Sequence, residues 1–231
     1  MNRHISEEYD AELDNARNLL MEMGGLVEQQ VHKACRAFVS HDAESAADVI
    51  SADKRINSLE VELDELCINI IARRQPAATD LRTLISIMNA STDLERIGDE
   101  ADRIAKMARA VSHLEYPADQ YSDFRDVAAQ VSTILSNALD AFARLDASSA
   151  LSVIKSDDEI DTAYENIVKN RGMSMRERPD DLERALNILW SARALERIGD
   201  HSKNIGEYVV YLVKGRDVRY TDAASAVSSD E

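Results

Sequence analysis

Six consecutive residues, Leu-Glu-Arg-Ile-Gly-Asp, occur twice in this chain, once from Leu94 and once from Leu195. An earlier stretch repeats as well. AFVSHDAESAADVISAD from Ala37 aligns with AFARLDASSALSVIKSD from Ala141, so that Asp53 matches Asp157 and Ile56 matches Ile160. Two motifs repeated in the same order make the chain an internal duplication. Each half is then one structural unit, and the fold must accommodate two copies of it.

The unit is helical. Leu59, Leu63, Leu66 and Ile70 recur at the spacing of one helix face, and so do Leu81, Leu84, Ile85 and Met88. Breaks are few. Ser40-His41-Asp42 and Asp146-Ala147-Ser148 carry residues that cap helix N-termini. Gln75-Pro76, Tyr116-Pro117 and Arg178-Pro179 end helices, because the proline ring disfavours the α conformation in the residue before it. Lys214-Gly215 closes the last helix with a glycine after a cation. These signals predict six helices, over 6–40, 43–74, 78–113, 119–145, 148–176 and 180–214. The expected fold is all-α: two pseudo-symmetric three-helix bundles over 1–114 and 115–217, followed by a disordered acidic tail over 218–231. The Gly24-Gly25 pair should either kink the first helix or let a neighbour come close.

Charge and composition narrow the function. The formal net charge is −16, which repels phosphate backbones, so nucleic acid is not the expected partner. The two cysteines, Cys35 and Cys67, lie in apolar helical patterns and read as buried free thiols in a reducing compartment. The N-terminus lacks the apolar stretch of a signal peptide, and no apolar run is long enough to span a bilayer. A soluble, cytoplasmic chain is expected. No phosphate loop, HExxH pair, GxSxG elbow or Glu-x-x-His pair is present, and no catalytic residue is assigned.

The repeated motif carries the candidate chemistry. Glu95 and Asp99 are four residues apart and share a helix face, which Asp102 extends. Glu196 and Asp200 repeat the pair, and Asn204 extends it with an amide oxygen. Two readings are open. The acids could form a solvated face paired with Arg96, Arg103 and Arg197, or their oxygens could converge on a hard or borderline cation. The halves are unequal, because Lys203 stands where the first half has Asp102. Gly98 and Gly199 sit in helix interiors, where glycine is costly, and point to close helix packing. Asp53 and Asp157 are expected at the surface, as is His201. Trp190, Tyr208 and Tyr211 are expected on a packing face.

HISEEYDAEL, MGGLVEQQV, DELCINIIARRQPAATDLR, LDAFARLD and ERIGDHSKNIGEYVVYLVKGRDVR follow one another between His4 and Tyr220. In these segments and their order the chain resembles the PhoU family. The resemblance implies two three-helix bundles, a non-enzymatic protein and a homodimer. It also implies negative regulation of the phosphate regulon and modulation of phosphate uptake. The protein would act as an adaptor between the ATPase subunit of the phosphate ABC transporter and the cytoplasmic domain of the sensor histidine kinase. It implies divalent or transition metals (Mg, Mn, Fe or Zn) on the Glu-xxx-Asp motifs, here Glu95 and Asp99, Glu196 and Asp200, with Asp102 and Asn204 as additions. The alternative is a PhoU-like metal-binding helical module that regulates a different transporter.

Overall fold

The computed structural model describes residues 7–113, 121–178 and 182–218. These form six helices: α1 (Glu7–Ser40), α2 (Ala43–Arg74), α3 (Ala78–Val111), α4 (Ser122–Arg144), α5 (Ala147–Glu177) and α6 (Leu182–Lys214). No strand occurs among the described residues. The punctuation works as its chemistry requires. Asp42 accepts from the amides of Glu44 and Ser45, and Asp146 accepts from those of Ser148 and Ser149. Gln75 closes α2 in the left-handed conformation at φ 49°, with proline immediately after it. Gly215 closes α6 at φ 67°.

The Asp146 cap gives a measurable expectation. Hydrogen bonds from Ser149, then Ser148, hold its carboxyl down to about 2. Asp146→Ala lowers the melting temperature at neutral pH, whereas Asp146→Asn, an equally good cap, leaves it nearly unchanged. A carboxyl depressed in the folded state stabilises above its unfolded pKa. The gap between wild type and Asp146→Ala therefore narrows as the pH falls below about 4. Thermal melts of the three proteins across that range check it.

Helices α1, α2 and α3 pack on one another, as do α4, α5 and α6. In α1 the buried stripe is Leu13, Ala16, Leu20, Met23, Val27, Val31, Ala34 and Phe38, spaced by three or four residues. Each large member contributes about 2 kcal/mol through removal from water. The two bundles also meet extensively. Helix α3 packs along α6 as closely as it packs on α1, and α1 touches α4. The glycine expectations resolve as close packing. A Cβ on Gly98 would lie 3.3 Å from Ile56, and one on Gly199 would lie 3.0 Å from the matched residue Ile160. A Cβ on Gly24 would lie 2.6 Å from Leu139, which places α4 against α1.

Several expectations are corrected. The core stripe of α3 runs through Leu84, Ile87, Leu94, Ile97 and Ala101, while Ile85 is exposed. Trp190 is exposed. Asp157 and His201 are buried, and Asp53 is half-buried, because α5 and α2 lean their acids toward α6 and α3. Val218, placed by sequence at the start of the tail, is buried, and the rest of that tail lies outside the described residues. Cys35 and Cys67 are free and buried, and burial pushes both thiols up to about 12. No helix among the described residues is long and apolar enough to cross a membrane.

Candidate functional site: two acidic clefts flanking a polar seam

Each third helix presents its Glu-xxx-Asp acids to the second helix of its own bundle. In the second half the geometry is tightest. Asp161 from α5 and Glu196 and Asp200 from α6 each bring one carboxylate oxygen within 4.8 Å of the others. Glu196 is buried; its Oε1 accepts from Arg193, and its Oε2 is buried with no hydrogen-bond partner. Burial raises its carboxyl, and the charge of Asp200 raises it further. Asp157 lies beside this group, only 1% exposed. Its Oδ2 accepts from Lys203 Nζ at 2.9 Å, and its Oδ1 has no partner.

The first half is built alike with different charges. Asp53 is raised by burial, then by Asp102 and Asp99 opposite it. Glu95 is raised by burial, then by Asp99, Glu60 and Asp53. One buried oxygen of Asp53 has no partner. Where the second cleft has Asp161 and Lys203, this one has Asn57 and Asp102. Asn57 donates to Asp53, and the Asp102 carboxylate pairs with Lys106.

The structure thus brings together Glu95, Asp99 and Asp102 in one cleft and Glu196 and Asp200 in the other. Asn204 is not brought there: its amide donates to Asp93 Oδ1 at 3.1 Å. Arg103 and Arg197 do not quench the motif, although Arg193 pairs with Glu196. Arg103 and Arg197 both pair with Glu100, each at 3.0 Å. Glu95, Asp99 and Asp200 take no ion pair from the described residues. Asp161 escaped the sequence reading, although it sits four residues after Asp157 and repeats the i, i+4 acid spacing on the facing helix.

Three carboxylates, one of them with a buried, unpartnered oxygen, converge in the second cleft without a histidine or thiolate, a donor set that fits a hard cation such as magnesium or manganese. Asp161, Glu196 and Asp200 would hold it. Its chemistry there would be charge neutralisation of acids that otherwise repel.

Between the clefts runs a polar seam. Asp93 on α3 accepts from three groups of α6: His201 Nδ1 at 2.7 Å, Asn204 at 3.1 Å and Tyr208 Oη at 2.7 Å. A carboxylate only accepts, so Nδ1 of His201 carries the proton in this contact. Arg197 adds an ion pair to Glu100 across the same seam.

The chain is similar to known proteins over most of its length. The PhoU domain family model matches residues 20–108 and 124–209, one match per half. A phosphate-specific transport system accessory protein PhoU homolog of Pseudomonas aeruginosa is 46% identical over 220 residues, covering 95% of this chain and 91% of the relative. The phosphate-specific transport system accessory protein PhoU of Escherichia coli K12 is 40% identical over 224 residues, covering 95% and 91%. The crystal structure of PhoU from Pseudomonas aeruginosa superposes with a TM-score of 0.88 at 45% identity, covering 90% of this chain and all of that one. The phosphate transport system regulatory protein PhoU from Streptococcus pneumoniae superposes with a TM-score of 0.84 at 30% identity, covering 91% and 99%. With a family match in each half and relatives alike over nearly their whole length, this chain belongs to the PhoU family.

Proposed function

We propose that this chain is a negative regulator of the phosphate regulon and a modulator of phosphate uptake. The observation that carries the reading is end-to-end similarity to phosphate-specific transport accessory proteins. In this reading it works in the cytoplasm, as a homodimer, without catalysis of its own. It binds the ATPase subunit of the phosphate ABC transporter and the cytoplasmic domain of the sensor histidine kinase, and restrains the kinase when phosphate is plentiful. The helical scaffold suits an adaptor.

The acidic clefts supply a cation-dependent element. A divalent ion that binds only the folded chain stabilises it by mass action. Millimolar Mn²⁺ or Mg²⁺ is therefore expected to raise the melting temperature of the wild type. A variant with Glu95, Asp99, Glu196 and Asp200 all changed to alanine should melt at the same temperature with and without the ion. Equal shifts in both proteins would remove the metal reading.

The functional test is alkaline phosphatase activity and phosphate uptake in a strain lacking the gene, grown in ample phosphate. High phosphatase activity that falls when the wild-type gene is restored is the expected result. Unchanged activity in the deletion strain would favour a PhoU-like metal-binding module that regulates a different transporter.

A further inference from the structure

The second cleft already contains a positive charge of its own. Asp157 on α5 accepts from Lys203 Nζ on α6 at 2.9 Å through Oδ2. Its other oxygen, Oδ1, is buried and takes no hydrogen bond from the described residues. A Cβ on Gly199 would lie 3.2 Å from that Oδ1, so the glycine keeps the space beside it clear of a side chain. Asp157 stands one turn before Asp161 on α5, and the charges of Asp200 and Asp161 both raise its carboxyl. Glu196, 8% exposed, carries a second orphaned oxygen in the same group of acids. Among the described residues, only Lys203 and Arg193 pair with these four carboxylates. The first half has no such ammonium, because Asp102 holds the position matched to Lys203.

Building on the cation reading above, we propose that Lys203 is a tethered competitor for the divalent cation of the second cleft. Its ammonium occupies Asp157 until the cation recruits that carboxylate as a fourth ligand and turns the lysine out. Three features support this. A divalent ion and an ammonium a few ångströms apart in a poorly solvated cleft repel strongly, so both cannot hold Asp157 at once. Oδ1 is already out of water, so recruiting it costs no further desolvation, and a hard cation uses more oxygens than three carboxylates need supply. The lysine also has somewhere to go. Its side chain is partly open to solvent, and Glu207, one turn further along α6, and Asp158, next to Asp157, both act on its charge. The ammonium then sets the free-ion concentration at which the cleft fills. Apparent affinity falls with the fraction of molecules in which Lys203 is turned out.

The test follows Mn²⁺ binding to the full chain by loss of the electron paramagnetic resonance signal of the free ion. Lys203→Met should bind Mn²⁺ about tenfold more tightly than the wild type. Lys203→Arg, which keeps a cation, should bind no more tightly than the wild type. Circular dichroism confirms that both variants are folded. A second measurement needs no variant. Acetylation of lysines by N-hydroxysuccinimidyl acetate is read by mass spectrometry, with and without saturating Mn²⁺. The ion should speed modification of Lys203 several-fold relative to the exposed Lys169, because the ammonium leaves Asp157. Equal Mn²⁺ affinity in the wild type and Lys203→Met would overturn the proposal and leave the cation reading intact. So would a Lys203 modification rate that bound Mn²⁺ leaves unchanged or lowers. No Mn²⁺ uptake by either protein would overturn both.

Discussion

Lys203→Met lowers the melting temperature of the metal-free protein by about 5–10 °C. Lys203 Nζ is the cation on Asp157, a carboxylate that is 1% exposed and has no other hydrogen-bond partner. Removing one partner of a fully buried pair costs about 3–5 kcal/mol, because the other charge stays behind. Here the lysine side chain is 33% exposed, so solvent reduces the loss to about 2–3 kcal/mol. The Asp157 carboxyl is shifted in the opposite direction to that of the Asp146 cap, yet the deficit again narrows as the pH falls. Burial already raises Asp157, and Lys203 only partly offsets it. Without the lysine the carboxyl rises further above its unfolded value. Its charged form then destabilises the fold at neutral pH, and that penalty lifts as it takes up a proton. The deficit of Lys203→Met therefore shrinks as the pH falls below neutral. Adding Asp157→Leu to Lys203→Met should recover most of the stability, and so should Mn²⁺, which can neutralise the same cleft. Thermal melts of the single and double variants over pH decide the matter. A single variant that melts with the wild type would mean that the ammonium contributes nothing to the cleft.

Asp93→Ala should cost about 3 kcal/mol, a fall of about 6–12 °C, because three hydrogen bonds to one buried carboxylate disappear together. His201, Asn204 and Tyr208 then lose the acceptor they share, His201 buried and the other two partly buried. Tyr208→Phe removes one of the three and should cost about 1 kcal/mol. The larger effect has a second signature. Asp93 joins α3 to α6, so its loss weakens the coupling between halves more than either half. Calorimetry of Asp93→Ala should show a van't Hoff enthalpy below the calorimetric one, while the wild type unfolds as a single unit. Equal losses in Asp93→Ala and Tyr208→Phe would mean that the seam rests on the tyrosine contact alone.

The contrast between what could be read in advance and what could not follows from packing. Helix ends were legible because Asp42, Asp146, Pro76 and Gly215 act on backbone within a residue or two of themselves. The acid face was legible because Glu95 and Asp99 lie on one helix, where spacing alone decides direction. His201, Asp157 and Trp190 were not. Helix α6 meets α3, α4 and α5, so it buries more than the single apolar stripe that periodicity reveals. The seam it shares with α3 is polar, and a polar buried face has the same letters as an exposed one. Asp157 is hidden by its partner helix, and nothing near it in the chain reports that. Trp190 fell on the one side of α6 that no helix covers, where its size suggested the opposite.

A symmetric homodimer would be bound to carry the same residue at both of its equivalent sites. Here the two equivalents are joined in one chain, and that constraint is gone. One half carries Asn57 and Asp102 where the other carries Asp161 and Lys203. Covalent fusion has let twin clefts become a pair of unlike ones, one more heavily anionic and one with an ammonium of its own. They are mounted on adjacent helices that share Asp93, so two differently tuned sites sit on one frame where a dimer of single repeats could have offered only one design.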